Sequence, residues 1–522
     1  MEGGYYMYKG FANAVEVDFS IPENREKMLA AFKQVDEEKG LTCPLIIGGE
    51  RIFTEKKFES LNPANKEVLG YSSSASAEQC DQAIKTAHEA FLKWKNTSLD
   101  ERIRCMRKLA QLLDENRFYL DAWNVEESGK NWGEADGELC ELLDFINSYC
   151  VHMQELDKGI PCIQTAEYNK CVYIPMGVGA TVSPWNFPVG LFANMLIAAA
   201  ITGNTSVNKP ASNTPISAFK FFEVMEKCGI PAGVINFLPG SGSDIGDLIV
   251  DHPLIRFINF TGSKEVGCRI YERAAKVNPG QKWLKRVVAE MGGKNAVIID
   301  SSANVKKAAQ GVASSAFTFQ GQKCSACSRA IVMRDVHDEF VEALIEEAKA
   351  LKANQGAGRE DKTIGPVSSQ EAFDKIAKYI EIGRKEGNVV FGGTYSDEKG
   401  YFVDPTVIDG ISRTDRIANE EIFGPVVAVI PVDSFDEALD IANQTEYGLT
   451  GSVYSETREN VIKAKNEFNV GNLYFNRKCT AAVVLQHPFG GFNLSGTDHK
   501  TGTPNYLTNF MYLKSISEDL TK

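Results

Sequence analysis

Val178-Gly179-Ala180-Thr181-Val182, running into Ser183-Pro184-Trp185-Asn186-Phe187-Pro188, is the stretch that decides the fold. A short apolar run ending in a polar, proline-fenced loop has the form of a buried strand that delivers a loop to one edge of a sheet. Four more such runs follow, at Thr205–Asn208, Val234–Leu238, Phe257–Phe260 and Val287–Ala289, with helical segments between them. The helix after Lys209 is the best marked. Thr214 is placed to cap it, Pro215 fits its first turn, and Gly229 with Pro231 ends it. Its Ala218, Phe221, Phe222 and Met225 fall at i, i+3, i+4 and i+7, one face of a helix. This alternation predicts an α/β fold built on a parallel, doubly wound sheet, which binds ligands beyond the C-terminal ends of its strands.

Upstream, Phe11-Ala12-Asn13 and Val17-Asp18-Phe19-Ser20 read as an arm that leads into a charged helix around Pro22 to Gly40. Pro44 to Glu50 reads as a strand and a tight glycine turn. Residues 76–158 carry helical periodicity, with Leu109, Leu112 and Leu113 on one face. Downstream, a second α/β unit runs from Asn295 to about Gly491. It has strands at Ala296–Ile299, Ala330–Met333 and Val426–Val432 and a helix near Asp338–Leu351. The tail from Tyr506 to Ser517 alternates like a strand and finds no evident partner, so it is expected to be an edge strand that pairs with another subunit.

Length and composition narrow the function classes. A chain of 522 residues has room for about two to four domains. The formal charge of −13 argues against nucleic acid or an anionic membrane as partner. The longest apolar stretch, Val189 to Ile201, is broken by Gly190 and Asn194 and is too short to span a bilayer. Twelve cysteines are scattered from Cys43 to Cys479 with no disulfide framework, and the N-terminus lacks the basic and apolar regions of a secretory signal, so a reduced cytoplasmic compartment is expected. The only CxxC, Cys324 to Cys327, has no second pair and the six histidines lie far apart, so no metal site is expected.

Two motifs carry the chemistry. Gly321-Gln322-Lys323-Cys324-Ser325 offers a thiol among loop formers, and Glu290-Met291-Gly292-Gly293-Lys294-Asn295 offers a carboxylate 34 residues earlier. Covalent thiol catalysis needs a nucleophile and a base that activates water for the thioester. Cys324 alone reads equally as a small buried residue, Cys327 is a rival thiol, and Glu290 alone reads as a strand-end surface acid. Asn186, fenced by Pro184 and Pro188, can donate to a developing oxyanion or satisfy its own turn. Gly240 to Gly246 and Phe260-Thr261-Gly262-Ser263 each follow a strand, where glycines let backbone approach a pyrophosphate; ordinary βα turns explain them as well.

Joined in order, these segments resemble the aldehyde dehydrogenase superfamily. Pro184–Pro188, Lys209-Pro210, Phe260–Ser263, Glu290–Gly293, Gly321–Cys324, Glu421-Ile422-Phe423-Gly424-Pro425 and Pro488-Phe489-Gly490-Gly491 extend the likeness over nearly the whole chain. Within it, the N-terminal arm, Cys324 to Arg329, Asn476-Arg477 leading into Cys479-Thr480, and Gly491 to Asp498 resemble the Δ1-pyrroline-5-carboxylate dehydrogenase branch. That branch oxidises L-glutamate γ-semialdehyde to glutamate in proline and arginine degradation.

The resemblance implies Cys324 as nucleophile, with its pKa lowered by local dipoles and the cofactor's positive ring, and Glu290 as the base that activates water. The Asn186 amide and the Cys324 backbone N–H would hold the oxyanion. It implies NAD as cofactor, met by Ser183, Pro184, Trp185, Lys209, Ser212, Gly242, Phe260, Thr261, Gly262, Ser263, Met291, Glu421 and Phe423. Ser212 stands where many relatives carry an acid on the adenosine ribose, so NADP is an expected alternative. The substrate would meet Phe187, Ser325, Ala481, Ala482 and Phe489. A small-molecule aldehyde and a homodimer or higher homo-oligomer are the implied partners. Here the branch's Thr-Gly-Ala or Thr-Gly-Ser anchor turn reads Thr480-Ala481-Ala482, and Leu485 replaces a later glycine. If that backbone needs positive φ, Ala481 strains it. A dehydrogenase of the same mechanism acting on another aldehyde, or a non-catalytic protein that kept the fold, are the alternatives. The implied organisation is an arm at 1–45, a dinucleotide-binding domain at 46–155 and 175–292, a catalytic domain at 293–491, and an oligomerisation element at 156–174 with 503–522.

Overall fold

The computed structural model describes residues 11–521. Val178–Val182 occupies the interior of a seven-stranded sheet. To one side lie Thr205–Lys209 and Ile235–Phe237, to the other Ile255–Thr261 and Arg286–Glu290, and these five run parallel. Leu45–Ile47 and Glu50–Ile52 extend the far edge antiparallel. The chain thus winds outward from Val178–Val182 in one direction, then restarts beside it at Ile255–Thr261. That reversal is a topological switch point, and the loops leaving both strands, Ser183–Pro188 and Gly262–Ser263, open onto one crevice.

A second seven-stranded sheet has the order Asn388–Phe391, Thr406–Asp409, Val426–Val432, Cys327–Met333, Asn295–Ile299, Thr450–Tyr454, Asn472–Phe475, with only the first strand antiparallel. Strand Arg286–Glu290 ends the first sheet, and Asn295–Ile299 begins in the second after four residues. The C-terminal ends of one sheet therefore face the N-terminal ends of the other. Central strands are buried on both faces, which is why they read as continuous apolar runs.

Helix Pro22–Glu38 buries Met28, Ala31, Phe32 and Val35 in the core shared with the Arg117–Ser128 and Trp132–Leu156 helices. Full burial of each larger side chain is worth about 1.5–3 kcal/mol. Leu109, Leu112 and Leu113 are buried as their spacing predicts. The helix Gly190–Ile201 is buried on all sides, and among the described residues no helix is long and apolar enough to cross a membrane.

Two expectations are corrected. The tail has its partner within the chain: Met511–Asp519 pairs antiparallel with Glu167–Pro175 along its whole length. Tyr506 and Leu507 belong instead to a buried helical turn, Pro504–Thr508. The partner strand lies more than 330 residues upstream, beyond the reach of local pattern. Thr214 does not cap the Pro215–Met225 helix; its hydroxyl donates to the Trp185 carbonyl at 3.3 Å and so braces the loop after Val182.

Candidate active site

A cleft of about 790 Å³ lies between the two sheets. Its walls bring together Ser183, Pro184, Trp185, Asn186, Ser212, Phe260, Thr261, Gly262, Ser263, Met291, Cys324, Glu421 and Phe423. Ser263 caps the Lys264–Ala275 helix by accepting from the Val266 N–H, so a helix N-terminus opens into the cleft beside Gly262. Free N–H groups and the helix dipole there suit an anion. Trp185 and Phe423 meet edge to face with centroids 5.5 Å apart. Glu421 accepts from the Gly293 N–H at 2.9 Å. A Cβ at Gly292 would come within 2.4 Å of the Glu421 carboxylate, so the double glycine makes room for that side chain.

Other expected residues lie off this wall. Lys209 is buried, its Nζ donates to the Pro210 carbonyl at 3.1 Å, and burial lowers its pKa to about 8. Gly242 begins a π-helical turn, where a Cβ would meet open space. Its segment touches the cleft through Ser212, whose hydroxyl donates to the Gly240 carbonyl. Phe187 packs edge to face on Phe319 at 6.1 Å, and Phe489 pairs with Thr501.

Cys324 lines the cleft, whereas Cys327 is buried in the second core and directs its thiol to the Arg329 carbonyl. The backbone at Cys324 is held by an unexpected part of the other motif. Asn295 Nδ2 donates to the carbonyls of Cys324 at 2.7 Å and Ala326 at 2.9 Å, while its Oδ1 accepts from the Thr450 N–H. A Cβ on Gly293 would sit 2.6 Å from the Cys324 carbonyl, so the two motifs pack backbone against backbone. Asn186 donates one amide hydrogen to the Gln322 carbonyl at 2.9 Å, which aims the group at the nucleophile loop and leaves its second hydrogen. The Cys324 N–H donates to no acceptor among the described residues.

Burial governs the electrostatics of the two reacting groups. It pushes the Cys324 thiol up to about 12, with the Glu290 and Glu421 carboxylates adding to it, so a lowering has to come from positive charge bound beside it. Glu290 itself is held well above the usual carboxylate range by burial, against the pull of Lys500 and the Gly491 N–H. Neither of its oxygens finds a full hydrogen-bond partner among the described residues. Burial and their like charge thus oppose ionisation of both groups, whereas a cation bound nearby would favour it.

Several supports escaped the sequence reading. Lys130 is buried, donates to the Asn186 carbonyl at 2.7 Å, pairs with Glu138, and sits 4.4 and 4.6 Å from the ring centroids of Phe187 and Phe319. Glu138 in turn accepts from the N–H groups of Val189 and Gly190. This pair fixes the loop that carries Asn186. Glu141, one helical turn further on, has its pKa raised to about 7 by burial and by Glu138 and Asp144.

The anchor turn shows what its two replacements cost. Ala481 has φ 60° and Leu485 φ 66°, the left-handed backbone that glycine adopts freely. Each L-residue there costs about 1–2 kcal/mol. Leu485 offsets its share by packing on the core around the Trp132–Leu156 helix. Arg477 Nη2 donates to the carbonyls of Thr480 and Ala481, both at 2.9 Å, and its Nη1 lies 3.0 Å from His487 Nε2. The N–H groups of Ala481 and Ala482 donate to no acceptor among the described residues.

The sequence profile of the aldehyde dehydrogenase family matches residues 52–516. The chain belongs to the aldehyde dehydrogenase family. It is similar to the 1-pyrroline-5-carboxylate dehydrogenase of Geobacillus kaustophilus, 52% identical over 96% of this chain and 98% of that one. Among solved structures, the 1-pyrroline-5-carboxylate dehydrogenase from Thermus with bound NAD superposes with a TM-score of 0.96 at 44% identity, covering 98% of this chain and 99% of that one. The NAD+ complex of an aldehyde dehydrogenase from Bacillus cereus follows at TM-score 0.88 and 32% identity, covering 94% and 99%. As a member of this family the chain is an oxidoreductase acting on aldehydes.

Proposed function

We propose that the chain oxidises L-glutamate γ-semialdehyde, the open form of Δ1-pyrroline-5-carboxylate, to L-glutamate in proline degradation, with NAD as hydride acceptor. The observation that carries this reading is the cleft lined by Cys324, Asn186 and Glu421, with the buried Glu290 carboxyl on the strand that leads into it at Met291. The cleft suits a dinucleotide: the Ser263 helix start for the pyrophosphate, Glu421 beside Gly292 for a ribose, and Trp185 and Phe423 for apolar contact. Bound there, NAD supplies a positively charged ring that accepts hydride. Ser212 in place of an acid leaves room for NADP.

Cys324 loses its proton to solvent and adds as thiolate to the aldehyde carbon. The second amide hydrogen of Asn186 and the Cys324 N–H receive the oxyanion. Loss of hydride leaves a thioester on Cys324, and Glu290 draws a proton from water as that water attacks it. The product acid leaves, and the thiol returns. The free N–H groups of Ala481 and Ala482, with Ser325, suit an α-carboxylate. Phe187 and Phe489 would flank the aliphatic chain.

The same reading takes 46–155 with 175–292 as the dinucleotide-binding domain, 293–491 as the catalytic domain, and 156–174 with 503–522 as an oligomerisation element. The paired strands Glu167–Pro175 and Met511–Asp519 leave Tyr168, Leu513 and Ile516 exposed, which supports a homo-oligomer. A reduced cytoplasmic setting agrees with twelve cysteines, all free. A second reading, a shifted aldehyde substrate, is motivated by Ala481 and Leu485 alone. NADH formation across a panel of aldehydes tests it: kcat/KM for glutamate semialdehyde should exceed that for propanal by about 100-fold or more. Comparable values would refute the substrate.

A further inference from the structure

The anchor turn is held by one residue that comes from the opposite end of the chain. Asn13 Nδ2 donates to the Val484 carbonyl at 3.0 Å and to Asp144 Oδ2 at 2.7 Å, and Asn13 Oδ1 accepts from Gln486 Nε2 at 2.9 Å. The neighbouring Ala14 N–H donates to the other Asp144 oxygen at 2.7 Å. One amide therefore spends both hydrogens and its oxygen on joining the turn to the Trp132–Leu156 helix. The arm is itself pinned there, since the Val17 N–H donates to Asp136 on the same helix and Arg117 reaches from Asp136 to the Val15 carbonyl.

This placement matters because of what the two joined segments carry. Val484 and Gln486 flank Leu485, one of the two residues held at positive φ against preference. Asp144 lies within the long Trp132–Leu156 helix, a rigid part of the core against which the turn can be held. Without an outside hold, a turn with two L-residues in the left-handed region gains by relaxing, and its free N–H groups would shift with it. Resting on the substrate reading above, we propose that Asn13 is a positioning residue for specificity: it fixes the anchor-turn N–H groups against the Trp132–Leu156 helix, and so makes the N-terminal arm part of the apparatus that places the substrate's α-carboxylate. Cys324, Glu290 and Asn186 make no contact with Asn13, so the effect falls on substrate fit and leaves the chemical steps alone.

The test uses the full-length enzyme, Asn13→Ala and Asn13→Asp, with glutamate semialdehyde and with propanal, which has no carboxylate or ammonium to place. For Asn13→Ala, KM for the semialdehyde should rise by about five- to tenfold with kcat within about twofold, as expected for losing hydrogen bonds that act through the turn. Asn13→Asp sets a carboxylate against Asp144 and should raise it further. Both constants for propanal should stay within about twofold in either variant. Amide hydrogen exchange across residues 480–487 should accelerate in both variants while the Arg286–Glu290 strand keeps its protection. Equal losses on both aldehydes, an unchanged KM for the semialdehyde, or unchanged exchange in the turn would overturn the proposal. If the wild type does not prefer the semialdehyde, the substrate reading falls by itself, and the exchange result still decides whether Asn13 holds the turn.

Discussion

The loop that delivers the nucleophile and the turn that faces it both hold their backbone in the left-handed region, by different means. In the loop, Phe319, Gln320 and Gly321 have φ of 48°, 53° and 65°. Phe319 and Gln320 are fully buried, and Gln322 behind them accepts from the Ser368 N–H at 2.9 Å. In the turn, Ala481 and Leu485 are exposed and half-buried, and polar side chains at the edge of the fold hold them: Arg477, His487 and Asn13. Strain in the first case is locked by packing, which allows few alternatives. Strain in the second is locked by a few hydrogen bonds that substitution can remove one at a time. The comparison separates a rigid reaction centre from an adjustable specificity element.

Gly321→Ala tests the rigid side and carries the larger effect. A Cβ there would lie 2.3 Å from the Gly424 carbonyl, on a backbone already at positive φ. The nucleophile must move, and kcat/KM should fall by about 100-fold or more on every aldehyde. A variant that keeps near-normal rates would break the contrast. Ala481→Gly tests the adjustable side and should sharpen it. Glycine accepts the observed φ at no steric cost, so KM for glutamate semialdehyde should drop by about threefold with kcat unchanged. A rise in KM would mean that the Ala481 methyl belongs to the recognition surface.

Much of the framework was legible before any coordinates. Buried parallel strands must be continuous apolar runs, so Val178–Val182 and Val426–Val432 were bounded correctly from residue type alone. The family motifs named the residues that meet at the cleft because those side chains serve chemistry. What stayed hidden was support. Asn295, Lys130 with Glu138, and Asn13 act through partners 29 to 473 positions away, and an Asn or Lys carries no local signal of such a partner. The electrostatics of Cys324 were hidden for a related reason: its motif speaks of reactivity, while the burial and the Glu290 and Glu421 carboxylates that raise its pKa come from distant parts of the chain. The sign of φ at Ala481 was only a conditional inference from the missing glycine until the backbone was seen.

The division of labour between Cys324 and Glu290 is the central claim, and rapid mixing of Glu290→Gln with NAD and glutamate semialdehyde tests it most directly. Without the base, acylation should proceed and hydrolysis should stall. The account predicts a burst of about one NADH per active site, followed by turnover slowed about 100-fold or more, with the acyl group recovered on a Cys324 peptide. No burst, full-rate turnover, or the acyl group on Cys327 would contradict it.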